Sequence, residues 1–104
     1  MAKMIAVYKT HKDKAAFEEH YNNVHIPLAK QLPGLLRYEI NEGGIMSTTG
    51  HTGVYKIATL YFESVEKMMA AFTSDIGKKC AEDRKILASD EDVQIYVFDT
   101  KDAY

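Results

Sequence analysis

The stretch YKIATLYFE, Tyr55 to Glu63, decides the fold. β-branched and aromatic residues dominate it, so it reads as a strand. A strand with one face in water alternates apolar and polar residues. This one does not: Ile57, Thr59 and Tyr61 fall on one side, and Ala58, Leu60 and Phe62 on the other. Both faces of its sheet therefore expect cover.

Downstream, Ser64 is a ready N-cap, and Val65, Met68, Met69 and Phe72 follow at i, i+3, i+4 and i+7, one face of a helix. Met68 and Met69 read as core filling on that stripe. Ser74 restarts the helix, which runs through IGKKCAEDRKILA to Ala88 despite Gly77. The segment DVQIYVFDT, Asp92 to Thr100, is a final strand with Val93, Ile95 and Val97 set against Tyr96 and Phe98. Upstream, KMIAVYK (Lys3–Lys9) is the first strand, with Met4, Ala6 and Tyr8 on one face and Ile5 and Val7 on the other. A helix begins near Asp13 and is stopped by Pro33-Gly34, and LLRYEIN, Leu35 to Asn41, is the second strand.

The order β-α-β-β-α-β over residues 1–104 is that of one ferredoxin-like α+β domain, an antiparallel sheet with both helices on one face. Half a dozen large side chains remain on the other face. At ~1.5–3 kcal/mol each, leaving them wet forgoes on the order of 10 kcal/mol, against a domain stability of ~5–15 kcal/mol. A second copy of the same sheet is the economical cover, which predicts a sheet-on-sheet homodimer.

Composition excludes several classes. The 13 Lys and Arg against 15 Asp and Glu give a net charge of -2, with no dense basic cluster, so neither nucleic acid nor a membrane surface is an expected partner. The apolar run near the N-terminus is only about five residues, short for a signal or a membrane span. With the single Cys80, which has no internal disulfide partner, this predicts a cytoplasmic protein. Cys80 reads as a small buried residue, not a nucleophile.

The stretch FEEHYNNVHIPLAKQLPGL, Phe17 to Leu35, holds the candidate chemistry. On a wheel of ~100° per residue, Phe17, Tyr21, Val24, Leu28 and Leu32 lie within roughly 80° of one another as the inner face. His25 borders that face beside Tyr21, His20 borders it on the other side, and Ile26 points away. Pro27 cannot donate to the carbonyl of Asn23 and pushes Ile26 toward extended geometry, so a kink or break is expected there. His25 at a break either turns into a cavity, where an imidazole of pKa ~6.5 suits acid-base work, or bonds a freed carbonyl. Tyr21 either donates its hydroxyl to a substrate oxygen or is a core aromatic. His20 and His25 lie too far apart on the wheel to share a metal, and His11 and His51 fall in loops, so no metal site is expected. The loop NEGGIMSTTGHTG, Asn41 to Gly53, reads as a flap in which Ile45 and Met46 close over a ligand, or as a plain connection. Asp83 either orients a histidine or faces solvent.

Phe17, Tyr21, His25 in "H-x-P-L" with Pro27 and Leu28, and Pro33-Gly34 leading into a strand, resemble the EthD-like family of dimeric α/β-barrel proteins. Asp83 stands where that family tends to place an acidic residue. The resemblance implies sheets paired into a barrel-like dimer. It also implies degradation of, or chemistry on, small apolar organic compounds, often beside oxidative enzymes. With the reading of the residues above, it favours a cofactor-independent enzyme with His25 and Tyr21 catalytic, and Tyr8, Phe17, His20, Leu28 and Tyr61 expected to bind the ligand. A non-catalytic accessory protein to an oxygenase is the alternative. Haem held by His25 or His20 is a third, because related barrels use it.

Overall fold

The computed structural model describes residues 1–51 and 53–104. Strands β1 (Ala2–Lys9), β2 (Arg37–Ile40), β3 (Val54–Phe62) and β4 (Val93–Asp99) form one antiparallel sheet in the order β2-β3-β1-β4. The crossover from β1 to β2 carries α1 (Lys14–His20), a π-helical turn (Tyr21–His25) and α2 (Ile26–Ala29). The crossover from β3 to β4 carries α3 (Val65–Thr73) and α4 (Asp75–Leu87). This is the ferredoxin-like arrangement expected from the element order. Among the described residues, no helix is long and apolar enough to cross a membrane.

The register explains the two-sided strands. Ala6 lies opposite Ala58 on β3 and Ile95 on β4, so these residues share the face under the helices. There Ala2, Ala6, Tyr8, Ala58, Leu60 and Phe62 are buried. Ile5, Val7, Ile57 and Tyr61 look out from the other face and are half-buried, while Tyr96 and Phe98 beside them are 50% and 39% exposed. Lys56 is the exception on the helix side. It is buried, but its Nζ donates to both Glu18 carboxylate oxygens at 3.0 and 3.2 Å and sits 4.6 Å from the Tyr21 ring centre. A covered charge with a partner and an aromatic face avoids most of the penalty of burial.

Serines start the later helices as expected. Ser64 accepts from the Lys67 N–H and Ser74 from the Gly77 N–H, each at 3.1 Å. Met68 is fully buried, but Met69 is 48% exposed and belongs to the rim of a cavity rather than to the core. Gly77 does not weaken α4; it permits the corner between α3 and α4. A Cβ there would stand 2.3 Å from the Ala71 carbonyl oxygen and 2.4 Å from that of Phe72.

The first helical crossover corrects the wheel. It does not kink into extended geometry at Pro27: Ile26 keeps helical angles of φ -60 and ψ -50. Instead the turn before it is widened, and the Ile26 N–H donates to the Tyr21 carbonyl five residues back. Pro27 then falls in the first turn of α2, where a missing N–H costs little. The extra residue rotates everything after it. The buried series becomes Phe17, Tyr21, His25 and Ala29, while Val24 is 44% exposed and Leu28 only half-buried. Ile26, expected to point away, packs partly against the core.

Of the two loop readings, the structure shows the plain connection: Met46 is 88% exposed, and neither it nor Ile45 lines the cavity; Thr52 of that loop lies outside the described residues.

Because the Gly77 clash is with backbone, it cannot be relieved by a rotamer change. Gly77→Ala should cost ~1–3 kcal/mol by overpacking and lower the thermal midpoint by roughly 5–20 °C. An unchanged midpoint in a melt followed by circular dichroism would show that the helices are not held this close.

Candidate functional site

A cavity of about 370 Å³ opens between the sheet and the helices. Small residues keep it empty: Ala6 and Ala58 on the strands, Ala29 on α2, and Gly77 and Ala81 on α4. Met4, Leu60, Phe72, Ile95 and Val97 give it apolar walls. At one end stand Tyr8, Tyr21, His25 and Tyr38.

His25 is buried, and its Nδ1 lies 2.9 Å from Asp83 Oδ2. The bond freed for it is therefore a carboxylate from α4, not a backbone carbonyl. Asp83 is itself buried, and its other oxygen, Oδ1, lies 2.7 Å from His20 Nε2. In an α-helix, residues five apart point in different directions. In a π turn, at about five residues per closed ring, they return to one side. Thus the widened turn lets both imidazoles meet one carboxylate. An acidic carboxylate facing Nδ1 fixes Nδ1–H as the donor and leaves the Nε2 lone pair free. No described residue bonds Nε2, and His25 lines the cavity.

Burial holds the His25 pKa below its ordinary 6.5; the hydrogen bond and charge of Asp83 pull it back up, and His20 and Arg84 push it down. At neutral pH the ring is a neutral base. The Tyr21 ring centre is 5.2 Å from that of His25, and its hydroxyl is 2.5 Å from that of Tyr38. Burial raises Tyr21 far above the usual phenol range and Tyr38 to about 12, so both stay protonated. Whichever hydroxyl donates within the pair, one O–H remains for a ligand. Base and donor thus face the same small space.

Of the residues expected at the site, His25, Tyr21 and Tyr8 line the cavity. The others do not. Phe17 packs behind, stacked on Tyr21 at 5.7 Å between ring centres. His20 is a partner of Asp83 with its side chain 29% exposed. Leu28 is turned off by the π turn. Tyr61 lies on the opposite sheet face, where its hydroxyl donates to Glu39. Tyr38, Cys80 and Arg84 were not assigned to the site, and of the two readings of Asp83 the structure shows the one in which it meets a histidine. Asp83 carried a readable signal, because Ile76, Cys80, Asp83 and Leu87 make one stripe of α4 at i, i+4, i+7 and i+11. Among the described residues, no group of three His, Cys, Asp or Glu side chains is arranged to hold a metal ion.

Residues 9–91 match the model of the EthD domain. A protein of 11.0 kDa from the thcB-thcC intergenic region of Rhodococcus erythropolis is 38% identical over 90 residues, spanning 86% of this chain and 85% of that one. The crystal structure of an ethyl tert-butyl ether d (EthD) family protein from Bacillus halodurans superposes with a TM-score of 0.87 at 30% identity, covering 97% of this chain and 99% of the other. SnoaB, a cofactor-independent oxygenase from Streptomyces nogalater, shares the fold with a TM-score of 0.65 at 12% identity, over 98% and 94% of the two chains.

Two consequences of the His25–Asp83 geometry are measurable. The depressed pKa means that below pH 6.5 the unfolded chain binds a proton that the folded chain refuses. The His25 contribution to stability is therefore present above that pH and lost as pH falls through the lower folded value. In nitrogen-detected NMR, His25 should show an Nδ1–H tautomer titrating below 6.5. Asp83→Asn should move the titration lower still, because the carboxylate is what supports the charged ring. A His25 pKa at or above 6.5, or a rise in the Asn variant, contradicts this geometry.

Proposed function

The chain belongs to the EthD family, and on that premise we propose that it is a cofactor-independent enzyme that binds a small, largely apolar organic molecule in the cavity and moves a proton on it. One observation carries the reading: a buried histidine, oriented through Nδ1 by a buried carboxylate, presents its free Nε2 to an apolar chamber. Nε2 would take a proton from carbon or oxygen of the substrate, and the hydroxyl left over from the Tyr21–Tyr38 pair would stabilise negative charge growing on the substrate oxygen. The imidazolium so formed is met by Asp83. Proton transfer asks for no group beyond these side chains. SnoaB, described as a cofactor-independent oxygenase, shares the fold, which supports a reading without a cofactor.

A homodimer belongs to the same reading. Ile5, Val7, Ile57, Tyr61, Tyr96 and Phe98 make an apolar outer face on the sheet, and a second copy would cover it.

A base in an apolar pocket is tested with 5-nitrobenzisoxazole, a small neutral compound whose ring opens when its C–H proton is removed. The chain should accelerate the opening, with a rate that rises with pH through a value below 6.5 and is flat at neutral pH. His25→Ala should slow it by ~10²–10⁴-fold while the fold is kept. Equal rates for the two proteins would dismiss His25 as the base. In sedimentation equilibrium the mass should be twice 11.8 kDa, and Ile57→Asp should halve it. A monomeric parent chain would remove the dimer from the account.

A further inference from the structure

The polar lining of the chamber has one sign. Tyr8, Tyr21 and Tyr38 stay protonated, and burial raises the Cys80 thiol as well. Among the described residues, no Asp or Glu lines the cavity; Asp83 stands behind the histidines. The permanent charges on the wall are Arg84 and Lys85, adjacent on α4, and both are cationic.

Arg84 is placed rather than loose. Its side chain is 13% exposed, with Nη1 donating to the Ala88 carbonyl at 2.8 Å and Nη2 to Asp90 Oδ1. Those two bonds fix the guanidinium and use only part of its five N–H donors. Asp90 is 81% exposed, so water and salt screen its charge, and it neutralises little inside the cavity. Lys85 donates to no described residue, and its neighbour Glu82 does not line the cavity.

We propose that the ligand is an apolar organic acid: a carboxylate held by Arg84 and Lys85, on an apolar body lying over Ala6, Ala58 and Leu60 that carries its reacting centre to His25. This names the substrate class of the chamber and rests on the reading of it given above. A neutral body alone would bury apolar area but make no use of the guanidinium N–H groups that the Ala88 carbonyl and Asp90 leave over, nor of the Lys85 ammonium. A cationic ligand would meet like charge. A carboxylate gains charge-assisted hydrogen bonds from the largely covered Arg84 and from Lys85, which is exposed. The same anion would also favour the proton on His25, easing the step in which Nε2 becomes charged.

The test compares 2-naphthoate, methyl 2-naphthoate and 2-naphthylmethylammonium by isothermal titration calorimetry at low salt. These three share one apolar frame and differ in charge. The carboxylate should bind roughly 10–100-fold tighter than the ester, with the ammonium weakest, as expected for hydrogen bonds to charged groups. Lys85→Met and Arg84→Met should each shrink the ratio of acid to ester while leaving ester affinity in place. Arg84 also bonds the end of α4, so ester affinity and the thermal midpoint check that variant's fold, and Lys85→Met, which breaks no contact, stands independently. Cys80→Phe, which fills the chamber, should abolish binding of both acid and ester. The acid class falls if the ester matches the carboxylate, if both Met variants keep the parent ratio, or if naphthoate still binds the Cys80→Phe chain. In those cases the rate loss in His25→Ala would still support the chamber as a site of proton transfer. If none of the three compounds binds, the chamber reading falls with it.

Discussion

One widened turn of helix governs this molecule. A regular α-helix from Lys14 would have sent His20 and His25 in different directions and left Pro27 obstructing the backbone. The π turn at Tyr21–His25 absorbs one residue, and three things follow from that single adjustment. Pro27 starts a new helical segment instead of breaking one. Tyr21 and His25 both look into the chamber. His20 and His25 reach the two oxygens of one carboxylate. π turns cost hydrogen-bond quality and are commonly kept where they place functional groups; here the groups placed are a base and the side chains around it.

The chamber owes its shape to residues that are small on every wall. Alanines at 6, 58, 29 and 81 and glycine at 77 leave a hollow between sheet and helices that larger side chains would fill. Natural cores are close-packed, and each unfilled volume gives up dispersion contacts. That a chain of this length keeps such a hollow beside a histidine oriented by a buried carboxylate supports reading it as a place for a guest. Sheltering the outer face of the sheet is a separate matter, since the chain's own helices lie on the other face.

Much of the fold was legible because it depends on patterns that survive tertiary context. The two-sided strand at Tyr55–Glu63, the serine caps at 64 and 74, and the order of elements all depend on local chemistry and period. The site was legible only in part. His25 and Tyr21 were found because they flank a proline in an apolar stripe, and Tyr8 because strand alternation puts it under the helices. Leu28 and Val24 were misplaced because the wheel assumes an even ~100° step, and nothing in the local sequence announces a turn that departs from it. Phe17 lay on the correct face, but the stacked Tyr21 stands between it and the hollow. Tyr61 was on the wrong side by strand parity, a test the sequence did permit. Asp83 and Arg84 sit some sixty residues from the histidines they serve; only the docking of α4 against the first crossover joins them.

The carboxylate of Asp83 links two helices as well as two rings. With both imidazoles neutral, it is a hydrogen-bonded strap between α4 and the first crossover. Once His25 carries a proton, the strap becomes an attraction between opposite charges with little water around them, and such contacts are roughly twice as strong. The wall of the chamber would then grip hardest during the short interval when a charged intermediate must be retained. It would slacken when the proton is handed back.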